Sequence, residues 1–304
     1  MNGNCERPAK IIALMVVSCV VMLTAAAQTG ALETGRIIFS SNASGNWDLW
    51  SVMPDGKGLR NITVSPENEH SPAVSPDGNE VLYVNAKRGI SIMDSDGKNR
   101  RELPLPKGIY AQPVWSPDGA GIAFVKYKVV PSDESEIWTM RRRNGKWTDI
   151  ERLTQFPPMR LYPAFSPNGK LLAYTEFRRD PVKGVVEEIG VMDLGKKTYR
   201  KITDAGTDSF RPVWSPDGRK IAYTSSKSGN YDVWVLSPDD GSEIQLTRNA
   251  SYDGEPAWSP DGNEIAFVSA DGAAREIWIT SATGDRLRQV TRTGMSCKDP
   301  VWVR

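Results

Sequence analysis

Pro256-Ala257-Trp258-Ser259-Pro260-Asp261-Gly262-Asn263-Glu264-Ile265-Ala266-Phe267 reads as a short strand, a tight turn and a second strand. Proline at the second turn position presets φ, Asp caps the backbone and Gly accepts the left-handed conformation that follows. Its core, Pro-x-x-Ser-Pro-(Asp/Asn)-Gly, starts at Pro72, Pro113, Pro163, Pro212 and Pro256, and a truncated sixth copy starts at Pro300. The spacings of 41, 50, 49, 44 and 44 residues suit one four-stranded propeller blade, about 40–50 residues long.

Outward from the turn, every unit carries the same strands. The second is a continuous apolar triplet such as Val81-Leu82-Tyr83, Ile122-Ala123-Phe124 or Ile221-Ala222-Tyr223, the pattern of a strand buried on both faces. The third holds an acid, an aliphatic and Trp at Asp48-Leu49-Trp50, Glu136-Ile137-Trp138, Asp232-Val233-Trp234 and Glu276-Ile277-Trp278. Gly89-Ile90-Ser91 and Glu188-Ile189-Gly190 depart from it. The fourth strand is expected to end on pairs such as Ile62-Thr63, Leu246-Thr247 and Val290-Thr291. The first unit lacks its opening strand and begins at Gly35-Arg36-Ile37, while the last is only an opening strand, Asp299 to Arg304. Joining them completes one blade and leaves no open sheet edge. The expected fold is all-β: a six-bladed β-propeller over residues 28–304, four antiparallel strands per blade, one blade closed by strands from both termini.

Residues 1–27 read as a secretory signal peptide: Arg7 and Lys10, an uncharged run from Ile11, and Ala25-Ala26-Ala27 before Gln28. Its removal takes Glu6, Arg7 and Lys10 and leaves 36 basic and 36 acidic residues. A balanced chain offers no electrostatic case for nucleic acid or an anionic membrane surface. Arg141-Arg142-Arg143 reads as a solvated strand edge. Cys5 and Cys19 leave with the leader, so Cys297 remains without an intramolecular partner. The chain is expected in the periplasm or secreted, monomeric, and without a membrane span once the leader is cleaved.

Ser-Pro-Asp-Gly, Ile-Ala-Tyr and Asp-Val-Trp in fixed order resemble the Pro-Asp WD40-like repeats of the TolB β-propeller family, over about residues 33–304. No counterpart of the α/β domain that precedes the propeller in TolB is expected between the leader and the first strand. The resemblance implies a role in the cell envelope, alongside the Tol–Pal system, with a Pal-like lipoprotein as the kind of partner.

In a four-strand blade, the connections from strand four to strand one and from strand two to strand three share one face. Second-to-third separations vary on that face, from 6 residues between Tyr83 and Gly89 to 14 between Tyr174 and Glu188, as when a rigid scaffold carries binding loops. The residues just before each inner-strand proline are expected to ring the channel mouth there: Glu69, His70 and Ser71; Tyr110 and Gln112; Arg160 and Tyr162; Phe210 and Arg211; Asp253 and Glu255; Cys297, Lys298 and Asp299. Aromatics with both charge signs suit a protein or peptide interface. Gly254-Glu255-Pro256 resembles a stretch of the Pal-binding surface of TolB, which carries that role to Glu255 and more loosely to His70.

Catalysis has little to build on. His70 is the single histidine, so no His-rich metal site assembles, and a Ser-His-Asp triad would have to use it. No Gly-x-Ser-x-Gly elbow occurs, and Asp94-Ser95-Asp96-Gly97 reads as a turn rather than a calcium loop. No enzyme activity, cofactor or metal is expected. The alternative is a carbohydrate-binding or carbohydrate-cleaving propeller, for which Asp253 and Glu255 would be the paired carboxylates.

Overall fold

Side chains fix each Ser-Pro-Asp-Gly turn. In the first, Gly78 N–H donates to Ser75 O at 2.9 Å, Ser75 Oγ donates to Asp77 Oδ1 at 2.5 Å, and Glu80 N–H donates to Ser75 Oγ at 2.9 Å. Such a turn leads the chain straight back beside itself, so consecutive strands pair antiparallel. The computed structural model of the chain describes residues 35–128, 134–203 and 206–303; the leader expected over residues 1–27 lies outside them. Among the described residues there are six four-stranded antiparallel sheets and no helix.

The inner strands are His70–Val74 in blade 2, Ile109–Trp115 in blade 3, Met159–Phe165 in blade 4, Ser209–Trp214 in blade 5, Asp253–Trp258 in blade 6 and Cys297–Trp302 in blade 1. Blade 1 is completed by Ile37–Ser41, Asp48–Val52 and Arg60–Asn61, so strands from both ends of the chain share one sheet. Ile37 pairs with Trp302 and Ser41 with Cys297. The apolar triplets lie fully buried between blades: Phe39, Phe124, Tyr174, Tyr223 and Phe267 are among the largest side chains with essentially no exposure.

Tryptophans on the inner strands bind blade to blade. Trp115, Trp258 and Trp302 each donate their indole N–H to a carbonyl of the preceding inner strand, that of Ala73 at 3.1 Å, Val213 at 3.2 Å and Ala257 at 2.9 Å. The acid of the third strand also belongs to the scaffold. Asp48 accepts from Thr63 Oγ1 at 2.9 Å, Asn61 Nδ2 at 2.7 Å and the Ser65 amide at 3.2 Å, leaving little capacity for a ligand. The fourth strands stop before the expected aliphatic–Thr pairs. Ile62 still donates to Leu49 O at 2.8 Å, and Thr63 then turns inward to the acid.

Two other sequence features resolve here. Each arginine of the Arg141–Arg143 run meets an acid: Asp118 at 3.0 Å, Glu80 at 2.6 Å and Asp149 at 2.6 Å. The long second-to-third separation of blade 4 is a longer hairpin rather than a longer loop, with strands Leu171–Asp180 and Gly184–Asp193.

Candidate functional site

Every inner strand bulges at one place. The ladder slips between His70 and Ala73, Ala111 and Val114, Leu161 and Ala164, Phe210 and Val213, and Gly254 and Ala257, with a matching irregularity in blade 1. The residue immediately before each proline sits in this slip. Ser71, Gln112, Tyr162, Arg211, Glu255 and Asp299 all have φ between 51° and 58°. That conformation is strained for an L-residue, by roughly 1–3 kcal/mol, and doubly unusual before proline, which favours extended backbone. Glycine would adopt it freely. None of the six is glycine and no two are alike.

The bulge frees the amide of this residue, and the preceding blade takes it up. Ser71 N–H donates to Ser40 Oγ at 3.2 Å, Tyr162 to Gln112 Oε1 at 2.7 Å, Arg211 to Thr175 Oγ1 at 3.0 Å, Glu255 to Thr224 Oγ1 at 3.0 Å and Asp299 to Glu255 Oε2 at 2.7 Å. The six side chains form a collar around the axis. Arg211 Nη1 lies 3.1 Å from Glu255 Oε2 and 2.8 Å from Asp299 Oδ1, and its guanidinium stands 4.5 Å from the Tyr162 ring centroid. Ser71 Oγ reaches Asp299 Oδ2 at 3.5 Å, and His70 Nδ1 is 3.0 Å from Ser71 Oγ. The collar ends a cavity of about 290 Å³, walled by the six inner prolines with alanines and valines beside them and running to Pro76, Pro117 and Pro167 in the turns of the opposite face.

Electrostatics here are those of buried ions. Burial opposes the Arg211 charge, but Glu255 and Asp299 hold the guanidinium firmly protonated. Burial also opposes ionisation of Asp299, yet Arg211 and Lys298 outweigh it and keep that carboxyl below its usual range. At Glu255 burial prevails over Arg211 and pushes the carboxyl up. His70 is driven down to about 4, chiefly by burial and then by Lys298 and Arg88.

The structure divides the expected mouth residues into three groups. Gln112, Tyr162, Arg211, Glu255 and Asp299 reach the axis with Ser71. His70, Phe210 and Lys298 lie half-buried beside the collar. Glu69, Tyr110, Arg160, Asp253 and Cys297 do not ring the mouth; they are buried between blades. Arg160 pairs there with Glu176 at 3.1 Å, and Tyr110 OH donates to Pro106 O at 2.6 Å. Asp253 is fully buried with Oδ2 unpartnered, and burial raises its pKa against hydrogen bonds from Ser269, Thr247 and Asn249, with Asp232 adding to the rise. A carboxyl raised on folding destabilises the native state increasingly as pH climbs from the unfolded to the folded value. Asp253→Asn is therefore expected to raise the melting temperature at pH 7 by about 2–4 °C, the size of ~1 kcal/mol. The gain should vanish near pH 4; a thermal melt series from pH 4 to 8 measures it, and a loss at pH 7 would refute the assignment.

Tyr231, Tyr252 and Trp47 on the mouth face escaped the reading from the prolines, which had named their neighbours Phe210 and Lys298. Phe210, Tyr231 and Tyr252 form an edge-to-face row with centroids 5.4 and 5.9 Å apart, and Lys298 Nζ sits 4.2 Å from the Trp47 ring centroid. A signal did exist for two of them. Ser44-Gly45-Asn46-Trp47-Asp48 and Ser228-Gly229-Asn230-Tyr231-Asp232 are nearly the same pentapeptide. In both, the Asn side chain donates to carbonyls of the following connection, at Ser65 (3.0 Å) and at Asn249 (2.9 Å).

Comparison with known proteins matches residues 85–243 and 151–304 to the family described as the TolB beta propeller domain. The Protein TolB homolog of Chlorobium luteolum is 27% identical over 220 residues, 68% of this chain and 47% of that protein. Dipeptidyl-peptidase 5 of Porphyromonas gingivalis is 29% identical over 143 residues, 44% of this chain and 20% of that protein. The crystal structure of TolB from Acinetobacter baumannii is similar with a TM-score of 0.75 at 25% identity, covering 88% of this chain and 66% of that one. The chain thus spans half or less of the length of these two curated relatives.

Proposed function

The chain belongs to the TolB β-propeller domain family, and from that premise we propose that it is an exported, non-catalytic binding module of the cell envelope. It docks a protein or peptide partner at the collared mouth, in the periplasm. The observation that carries this reading is the collar itself: six strained, non-glycine residues, no two of the same type, at equivalent positions. A purely structural bulge is served best by glycine, so the side chains have a use that outweighs the strain. Relatives named as TolB proteins support an envelope setting and a Tol–Pal type of partner. Similarity to the peptidase covers only a fifth of that protein, which fits a shared propeller.

Glu255 is committed to Arg211 and the Asp299 amide, so the test uses side chains beside the collar. Residues 28–304, immobilised, are expected to capture a discrete envelope protein. Phe210→Ala with Lys298→Ala should weaken capture about tenfold or more, as truncation of interface anchors does. Tyr199→Ala, on the exposed outer strand of blade 4, should leave capture unchanged. Equal capture by all variants, none by the wild type, or binding of a polysaccharide indifferent to the mouth changes would overturn the proposal.

A further inference from the structure

Two pairs of like charges without salt-bridge partners among the described residues stand on opposite rims of the mouth face. Lys298 of blade 1 stacks on Trp47, and both it and Arg88 of blade 2 lie near enough to His70 to disfavour its charge. Neither Lys298 nor Arg88 has an ion-pair partner among the described residues. Across the channel lie Glu187 of blade 4 and Asp208, at the start of blade 5. Glu187 is half-buried with no hydrogen bond or cation partner among the described residues, and burial, with Asp208 adding to it, pushes its carboxyl up to about 7, so a cation seated beside it would draw out its negative charge. Asp208 accepts from Tyr231 OH at 3.2 Å, beside the row of Phe210, Tyr231 and Tyr252. Elsewhere on this face Lys128 pairs with Glu134 at 3.0 Å and Arg178 with Glu188 at 2.8 Å and Asp180 at 3.5 Å, while Arg275 and Lys126 stand 4.9 and 4.7 Å from the ring centroids of Tyr252 and Trp138.

In a six-bladed ring, blades 1 and 2 stand diametrically opposite blades 4 and 5. We infer that the mouth is a two-pole surface for an extended peptide segment that carries an acidic residue near one end and a basic residue near the other. The acid lies against Lys298 and Arg88. The base lies against Glu187 and Asp208, its alkyl stem and charge over the faces of Phe210 and Tyr231, where an aromatic row favours a cation. Leaving unlike charges unpaired on opposite rims selects for polarity as well as for charge, because a uniformly acidic or basic segment gains at one pole and is repelled at the other. The inference rests on the mouth being the docking face and adds the chemistry of what docks.

Fluorescently labelled peptides of about a dozen residues, long enough for an extended recognition segment, test it by anisotropy in about 50 mM salt, where screening is weak. One set carries Asp/Glu at one end and Lys/Arg at the other; control sets are uniformly acidic or uniformly basic. The mixed peptide is expected to bind at least about tenfold more tightly than either control. Arg88→Glu with Lys298→Glu should remove that preference, and so should Glu187→Lys. The protein carrying these three changes together with Asp208→Lys has its poles exchanged and should regain binding, since the peptide can lie in the reverse direction; general damage to the fold would not be rescued this way. Absence of mixed-peptide binding, equal binding of a uniform peptide, or indifference to the pole variants would overturn the inference. If capture of an envelope protein still depends on Phe210 and Lys298 in those cases, the docking face stands and only its polarity falls.

Discussion

A chain ending at Asp299 is expected to lose cooperative folding. Trp302 and Val303 are 6% and 1% exposed, and each is shared with residues far away in sequence: Trp302 with Ile37, Phe39 and Ala257, Val303 with Ile38, Leu49 and Val81. Removing a buried Trp costs about 3–5 kcal/mol, and Val301 with Val303 adds about 1.5–3 kcal/mol for each valine that is fully buried. That approaches the whole stability of a typical domain, about 5–15 kcal/mol. Hydrogen bonds go as well, among them Val303 N–H to Arg36 O at 2.7 Å and Gly35 N–H to Val303 O at 2.8 Å. What remains exposes Ile37–Ser41, wholly buried in the intact ring, as an unpaired apolar edge that invites aggregation. Circular dichroism melts and gel filtration should show an aggregating chain without a cooperative transition. Trp302→Ala, which keeps the strand, should still melt cooperatively but about 10 °C or more lower. A truncated chain melting with the full one would mean that the ring does not need its closing strand.

Repetition made the blades, turns, buried triplets and shared blade readable, because each requires the same residue types at the same spacing six times. The mouth was readable only in part, and the reason lies in the bulge. Strict alternation would place Asp253 and Glu255 on the same side of their strand. The extra residue in the slip breaks that alternation, turning Glu255 toward the axis and leaving Asp253 between blades. Glu69 against Ser71 and Arg160 against Tyr162 follow the same rule. Nothing in the residue types announced it, since a left-handed position is ordinarily advertised by glycine and these six carry none. Gly190, by contrast, departs from the Trp of other third strands for a visible reason. A Cβ there would lie 2.9 Å from the Tyr174 ring.

Arg211→Met should destabilise the protein, and more so as pH rises. Removing one partner of a buried charged cluster typically costs about 3–5 kcal/mol, because the remaining ions are left uncompensated. Here two carboxyls, Glu255 and Asp299, would lose the guanidinium 3.1 and 2.8 Å away. In the wild type Asp299 is held below its usual range despite burial. Its contribution is therefore present above the unfolded carboxylate value near 4 and lost as pH falls through the folded one. In the variant burial is opposed mainly by Lys298 at Asp299 and by the Asp299 amide and Arg275 at Glu255, so both carboxyls rise above their wild-type values and stability falls relative to the wild type as pH rises. The two stability curves should lie farthest apart at pH 7 and above and converge toward pH 4. Adding Glu255→Gln to Arg211→Met should recover part of the loss at pH 7 by removing one of the stranded charges. Denaturant unfolding of the three proteins from pH 4 to 8 decides the matter. A gap between wild type and Arg211→Met that stayed constant with pH would show that Arg211 acts through packing on Tyr162 rather than through the carboxylates, and the collar would lose its electrostatic account.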